Sequence, residues 1–360
     1  MKIALLGLGH IGRSIARRLS ESGDYEVIAA DRDEQAFAGM RKLGVVCQTV
    51  DFGDDHALRR FLKQAHAAVN ALPYTMATPV ATAAKIEGVH YFDLTEDVRA
   101  TLNIIELAEG ADTAFMPQCG LAPGFVGIAA HHQAMAFDEI HEIKMRVGAL
   151  PEFPTNQLKY NLTWSIDGLL NEYSRPGEAI RNGSIRGVEP LEGLERFSLD
   201  GIEYEAFNTS GGLGTLCRTL LGRAENLDYK SIRYPGHCRL VKFLLQELRL
   251  NEKRDVLKEI LHDAIPATMQ DIVLVFISVD GMLDGRRTQQ VFTTKIYAGT
   301  SGSVRESAIQ ITTAAGLCAA LDLFREEKLP QKGLIRQEMI RLPDFLKNRF
   351  GRVYDRPRES

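Results

Sequence analysis

Gly7, Gly9 and Gly12 form the spacing G-x-G-x-x-G, with His10 and Ile11 inside it, and Asp31 follows nineteen residues after Gly12. A glycine at the first position permits a tight turn, the second lets backbone approach a pyrophosphate, and the third allows close helix–strand packing. The apolar run Ile3 to Leu6 precedes the motif, an amphipathic helix through Leu19 follows it, and the strand "EVIAA" ends at Asp31. This context separates a dinucleotide-binding turn from an ordinary β–α turn, and the start of such a helix favours an anion. Asp31 is placed to take the adenosine ribose hydroxyls, which favours NAD. Arg32 beside it could instead meet a 2′-phosphate, so NADP stays possible.

A second chemical stretch is "PQCGLAPGF", Pro117 to Phe125. Its Pro and Gly content reads as a linker, yet its flanks are apolar and it carries Cys119. The elements around it decide its meaning. "GVVCQTVDF", "AAVNALPY", "VHYFDLT" and "TAFMPQC" read as buried strands, alternating with helical "DDHALRRFLKQA", "ATPVATAAKIEG" and "RATLNIIELAEGA". That alternation predicts a doubly wound parallel sheet, whose ligands lie beyond the carboxyl ends of the strands. Those ends are Asn70-Ala71-Leu72-Pro73-Tyr74, Asp93 to Asp97, and Gly120, Pro123 and Gly124, with a helix starting near Phe125. The stretch is therefore expected to be hinge and active-site floor at once. Asn70 could bond the nicotinamide carboxamide or ribose, although a strand-end Asn also serves turns.

The predicted fold class is α/β: a Rossmann domain over 1–124, then an α+β domain over 125–303 with an open mixed sheet. "DEIHEIKMRVGAL" alternates as a strand with one solvated face, Asp284-Gly285 marks a hairpin, and Val241 to Ala264 reads as a helical pair. Val304, Ala308, Ile311, Ala315 and Cys318 form one buried stripe, predicting a helix over about 304–325 that packs back on the first domain. The tail "RFGRVYDRPRES" reads as polar and frayed.

Composition excludes several classes. A net charge of −4 with no basic block offers nothing to nucleic acid. The five scattered cysteines form no Cys-x-x-Cys pair, which argues against a disulfide framework and a thiolate zinc site and fits a reducing cytoplasm. His131 and His132 are adjacent and do not share a helix face as metal ligands need, so no metal is expected. No apolar run approaches the ~18 residues of a membrane span, and the apolar start is too short for a signal peptide.

"GLGHIGRSIA", "NALPY", "YFDLTED", "CGLAPGF", "LTWSIDGLLNEY", "EAFNTSGGLGTL" and "LDYKSIRYPGH" occur in this order over about Lys2 to His237. Together they resemble the saccharopine dehydrogenase-like oxidoreductases, closest to the lysine 6-dehydrogenase branch. The resemblance implies oxidation of an amino-acid C–N bond with hydride passing to NAD(P), and a homodimer built through the second domain. The favoured substrate is L-lysine at its ε-amine. Saccharopine or carboxynorspermidine, or a non-catalytic nucleotide sensor, are the alternatives.

Such chemistry needs a deprotonated amine, a base and a cation for the substrate carboxylate. Asp93 could be the base, an ammonium anchor or merely a helix cap. Lys159 could be an acid/base group if its pKa were lowered, or a solvated lysine. Arg233 and His237 are the first choices for the carboxylate and for an acid/base group, with Arg175 and Arg218 as weaker extra cations. Tyr74, Tyr160, Trp164 and Thr209 are expected to line the substrate site. The glycine-rich "NTSGGLGTL" could bind a carboxylate through its N–H groups or be a tight turn. Cys119, counted with the substrate-binding residues, could equally be a buried inert thiol.

Overall fold

The computed structural model describes residues 1–301 and 304–355; the last part of the tail, from residue 356, lies outside them. The chain divides into two compact units, Met1–Ile128 with Gln310–Asp355, and Ala129–Ile309.

In the first unit, buried apolar runs form parallel strands β1 (Lys2–Leu6), β2 (Glu26–Asp31), β3 (Val46–Thr49), β4 (Ala67–Asn70), β5 (His90–Asp93) and β6 (Ala114–Met116). Their spatial order is β6-β5-β4-β1-β2-β3, with Gly333–Leu334 added parallel to β6. This is the doubly wound arrangement in which the chain reverses direction across the sheet at β1 and β4. The helices α1 (His10–Ser22), α2 (Asp55–Leu62), α3 (Ala77–Glu87) and α4 (Val98–Ala108) connect the strands. Asp54 caps α2 through His56 N and Ala57 N, and Asp97 caps α4 through Ala100 N, satisfying donors a helix start leaves free. Register sets Leu6 beside Asn70 and Asn70 beside Asp93, one row at the carboxyl ends of three strands.

The C-terminal segment differs from expectation in two respects. Val304 belongs to a short strand, Val304–Glu306, and the helix begins at Ala308 and runs to Arg325. The tail is not frayed through Tyr354. That ring stacks on Phe125 with centroids 3.8 Å apart, and its hydroxyl donates to Thr312 O at 2.8 Å. The fully buried Asp322 organises this region, accepting from Tyr25 Oη at 2.7 Å, Asn348 Nδ2 at 2.8 Å, Arg349 at 2.8 Å and Arg325 at 3.1 Å.

The second unit is a mixed sheet. Strands β7 (Glu139–Pro151), β8 (Gly177–Arg181), β9 (Ser184–Val188), β10 (Glu195–Leu199), β11 (Ile202–Asn208), β12 (Ala224–Arg233), β13 (Asp271–Leu283) and β14 (Arg286–Tyr297) make it. The order is β10-β11-β12-β7-β13-β14, with β8 beside β12 and β9. Only β12 and β7 run parallel along that path. The turn between β13 and β14 has positive φ at both Asp284 (50°) and Gly285 (70°), the primed hairpin geometry. β7 does not keep one solvated face. It is a central strand, and Arg146 is buried on it because Glu195 and Asp228 pair with its guanidinium. The helical pair is interrupted: His237–Lys242 runs into a π-turn at Phe243–Glu247, and a second helix spans Arg254–Ala264.

Asp322 generates a stability prediction. Burial alone would raise its pKa, but Arg349, Tyr25, Asn348 and Arg325 outweigh that and hold it below the usual carboxylate value. Its contribution is therefore present above the unfolded value of about 3.9 and is lost as pH falls through the folded value. Asp322→Ala is expected to cost about 2–3 kcal/mol in urea unfolding at neutral pH, and less at pH near 3. An equal loss at both pH values would contradict the assignment.

Candidate active site

The glycine motif forms as its spacing predicts. Gly7 has φ 92°, and a Cβ there would lie 3.0 Å from Ala71 O. At Gly12 a Cβ would fall 1.9 Å from Gly7 O, so only glycine lets α1 pack against the turn. Gly9 is exposed with nothing within 4 Å of an added Cβ, and no side chain caps α1. An open backbone surface beside uncapped helix N–H groups fits a pyrophosphate. Asp31 is pre-oriented: Oδ2 accepts from Leu8 N at 2.7 Å and Oδ1 from Asp33 N at 3.1 Å. His10 and Arg32 are exposed at the same end, with Ile11 half-buried.

At the carboxyl ends of β4, β5 and β6 the polar groups bond to one another. Asn70 Oδ1 accepts from Leu72 N at 3.1 Å, and Asn70 Nδ2 donates to Tyr91 Oη at 3.2 Å. The Tyr91 hydroxyl lies 2.8 Å from Asp93 Oδ2 and 3.1 Å from Ala77 O. Asp93 Oδ1 accepts from Gln118 N at 2.8 Å and Thr95 N at 3.1 Å, and Asp93 O from Cys119 N at 2.8 Å. Asp93 is fully buried; burial raises its pKa to about 6 against the pull of Gln118, Tyr91 and Thr95. Its oxygens are thus committed inside the protein, which is not the open placement expected of a base. Cys119 is likewise packed away. Its Sγ donates to Met116 O at 3.1 Å and accepts from Gln337 Nε2 at 3.3 Å, and burial pushes the thiol pKa up. Ala71, Leu72 and Tyr74 are half-buried and Pro73 exposed on the β4 loop. Gly120, Pro123 and Gly124 are buried, and at Gly124 (φ 134°) a Cβ would lie 2.1 Å from Gly120 O.

One group that the residue types alone did not single out is Glu96, on the loop after β5. It is half-buried and no cation pairs with it among the described residues; burial, then Asp97 and Asp93, raise its pKa to about 7. It stands in "YFDLTED", but the desolvation that distinguishes it from any loop glutamate has no sequence signature.

In the second unit, Arg233 ends β12 almost completely buried, at 3% exposure. Its Nε donates to Tyr173 Oη at 2.7 Å and its Nη1 to Ile232 O at 2.8 Å. Its guanidinium carbon lies 5.2 Å from the Tyr160 ring centre and 5.6 Å from that of Tyr173. Among the described residues Nη2 has no hydrogen-bond partner, and the buried Glu172 acts on the guanidinium electrostatically without lying at ion-pairing distance. Tyr160 Oη, Asn161 Oδ1, Thr163 Oγ1 and Asn171 Oδ1 are also buried without partners. His237 Nδ1 donates to Leu158 O at 2.9 Å, so Nε2 accepts the Tyr173 hydroxyl at 3.0 Å. Burial and the nearby Arg233 lower its pKa to about 3. The acid/base role expected of His237 meets a different setting here: a neutral ring with both nitrogens engaged holds Tyr173.

The other expected residues separate. Lys159 is exposed at φ 50°. Trp164 packs on Gly168, where a Cβ would lie 2.3 Å from the indole. Thr209 is buried, its Oγ1 2.8 Å from Ser231 Oγ. Arg175 is exposed, and Arg218 sits 3.8 Å from Glu178, so neither joins the Arg233 cluster. In "NTSGGLGTL" the N–H groups of Gly211, Gly212 and Leu213 have no acceptor among the described residues. Among these residues no helix is long and apolar enough to cross a membrane.

Residues 3–115 match the saccharopine dehydrogenase NADP binding domain, and residues 120–354 the saccharopine dehydrogenase C-terminal domain. The chain belongs to the saccharopine dehydrogenase family. Like other members it is built to bind NAD(P), on a fold shared with two solved structures. Saccharopine dehydrogenase (L-Glu forming) from Saccharomyces cerevisiae superposes with a TM-score of 0.78 at 18% identity, over 97% of this chain and 98% of that one. Homospermidine synthase from Legionella pneumophila, in complex with NAD, gives 0.65 at 13% identity, over 98% and 89%. The mitochondrial alpha-aminoadipic semialdehyde synthase of Mus musculus is 20% identical over 312 residues, 82% of this chain and 33% of its own length. The chain thus spans about a third of the length of the curated relatives it matches.

The open surface at Gly9 yields a discriminating prediction. Gly9→Ala is expected to keep stability within about 1 kcal/mol while weakening NAD or NADP binding at least about tenfold, since its backbone φ suits alanine. Gly12→Ala should instead lower stability itself, by about 2 kcal/mol or more. Unchanged cofactor affinity in Gly9→Ala, measured by calorimetry, would remove the pyrophosphate from this surface.

Proposed function

We propose that this chain oxidises a carbon–nitrogen bond of a carboxylate-bearing amine with NAD as hydride acceptor, and that L-lysine, reacting at its ε-amine, is the first candidate substrate. The observation that carries the reading is Arg233, a buried guanidinium whose Nη2 donor has no partner among the described residues, together with the buried hydroxyl of Tyr160, whose ring centre lies 5.2 Å from the guanidinium carbon. A substrate carboxylate accepts from both, a charge-assisted pair in a dry setting. Tyr173, itself held by His237, keeps the guanidinium plane fixed. The chain's orientation of Asp31 supports NAD over NADP.

NAD, held by the glycine turn and Asp31, would supply the acceptor for the hydride that leaves the carbon bearing nitrogen. The chain's part is to bind, orient and move protons. A lysine amine has a free pKa of about 10.4 and must be deprotonated before its carbon can release hydride. Glu96, on the loop at the carboxyl end of β5 where such a sheet takes its ligand, is the group this reading assigns to accept that proton, because a carboxylate poised near neutrality is both ionised and basic enough. The iminium left after hydride loss is then attacked by water, again with base help.

One guanidinium matches one carboxylate, which favours lysine over saccharopine. The free N–H groups of Gly211, Gly212 and Leu213 support a second reading, in which they hold another carboxylate of a saccharopine-like secondary amine. The name of the Saccharomyces cerevisiae structure agrees with that reading.

The test offers purified protein NAD or NADP with lysine, then saccharopine, and follows reduced nicotinamide by absorbance. Turnover of neither amine would overturn the proposal, and turnover of saccharopine alone would install the second reading. With the active amine, Arg233→Lys should raise KM on the order of tenfold or more with a smaller change in kcat. The rate should rise as pH climbs through about 7, because the base must be ionised, and Glu96→Gln should remove that limb. A limb that survives in Glu96→Gln assigns the base elsewhere.

A further inference from the structure

Three loops follow β4, β5 and β6, and each donates a backbone N–H to a side chain in the strand-end row, the β6 loop being held as well by Gln337, whose Nε2 donates to Pro117 O at 2.8 Å. Asn70 Oδ1 holds Leu72 N after β4, while Asp93 Oδ1 holds Thr95 N after β5 and Gln118 N after β6. Tyr91 joins the two side chains, at 3.2 Å from Asn70 and 2.8 Å from Asp93. Asn70, Tyr91, Asp93 and Gln118 are all buried. Gln118 is a non-glycine residue with φ 67°, a conformation that persists only where neighbours impose it. Its side chain is also tied, through Nε2 to Thr101 Oγ1 at 3.1 Å.

We infer that Tyr91 and Asp93 are positioning residues, which through Asn70 and Gln118 lock the three loops that receive the nicotinamide half of the dinucleotide. In a doubly wound sheet the first mononucleotide half is served by β1 to β3, and the second by β4 to β6. The chain of bonds is confined to the second half.

The network is also complete whether or not Asp93 carries a charge. With the carboxylate ionised, Tyr91 donates its one proton to Oδ2. With a proton on Oδ2, Asp93 donates to Tyr91, whose own proton turns to Ala77 O at 3.1 Å. Asn70 Nδ2 donates to Tyr91 in both arrangements. The titratable groups facing Asp93 are Tyr91, Cys119 and Glu96, and no cation is among them. Geometry, not charge, is what Asp93 contributes, and an asparagine reproduces it by accepting on Oδ1 and donating from Nδ2.

The experiment compares affinities for NAD and for ADP-ribose, which lacks the nicotinamide. It needs no substrate, so it stands whichever amine is oxidised. Tyr91→Phe and Asp93→Ala should weaken NAD about tenfold while ADP-ribose stays within about twofold. Asp93→Asn should bind both ligands within about threefold of the parent. Tyr25→Phe, which removes another buried hydroxyl bond in the same unit, should leave the ratio of the two affinities unchanged. Melting curves identify any variant that fails to fold, and Tyr91→Phe decides if Asp93→Ala does. Parallel loss of NAD and ADP-ribose binding in Tyr91→Phe, no loss of either, or an Asp93→Asn as weak as Asp93→Ala would overturn the inference.

Discussion

The second unit depends on a guanidinium removed from water, with the buried Glu172 acting on it electrostatically but no carboxylate at ion-pairing distance among the described residues. A buried charge is costly unless it is paired and hydrogen-bonded, and Arg233 is only partly provided for. Two aromatic rings flank it, one phenol and one carbonyl accept from it, and one edge is left over. Tyr173 accepts from Arg233 while its own proton goes to His237, and His237 accepts that proton because its other nitrogen donates to Leu158 O. The local fold, from the turn at Leu158 through the helix Ile166–Ser174 to the end of β12, is thus arranged around one charge with one edge open.

The two units treat buried polarity differently. At the strand ends of the first unit, Asn70, Tyr91, Asp93 and Gln118 satisfy one another and the loops they carry. In the second unit Tyr160, Asn161, Thr163 and Asn171 each keep a buried atom without a partner. Saturated networks rigidify, whereas unsatisfied ones mark where a ligand or water completes the structure. The contrast supports the proposal that the first group is scaffolding and the second meets the substrate.

The parallel sheet was legible because its strands are uninterrupted apolar runs and its glycine turn has steric consequences at fixed spacing. The strand positions of Asp31 and Arg233 were legible, each at the end of an element read as a strand. Less was legible where a role depends on packing. His237 and Asp93 are ordinary acid/base candidates by type, yet burial and committed hydrogen bonds change what they do. Glu96 and Tyr173 look like any glutamate on a loop and any tyrosine on a helix until desolvation and partners are known. The tail reads as polar because its arginines dominate its composition, although Phe350 and Tyr354 are the residues that pack. Arg146 hides an interior position of β7 behind a charged side chain, since its two carboxylate partners are distant in sequence.

Hydride transfer from the carbon bearing nitrogen is the central claim, and isotope transfer tests it most directly. The protein would be incubated with NAD and lysine deuterated at the carbon that carries the ε-amine, and the reduced nicotinamide analysed by mass spectrometry. The account predicts that the reduced cofactor gains deuterium from the substrate. Reduced cofactor that forms without deuterium, or no reduced cofactor from any carboxylate-bearing amine, would contradict it.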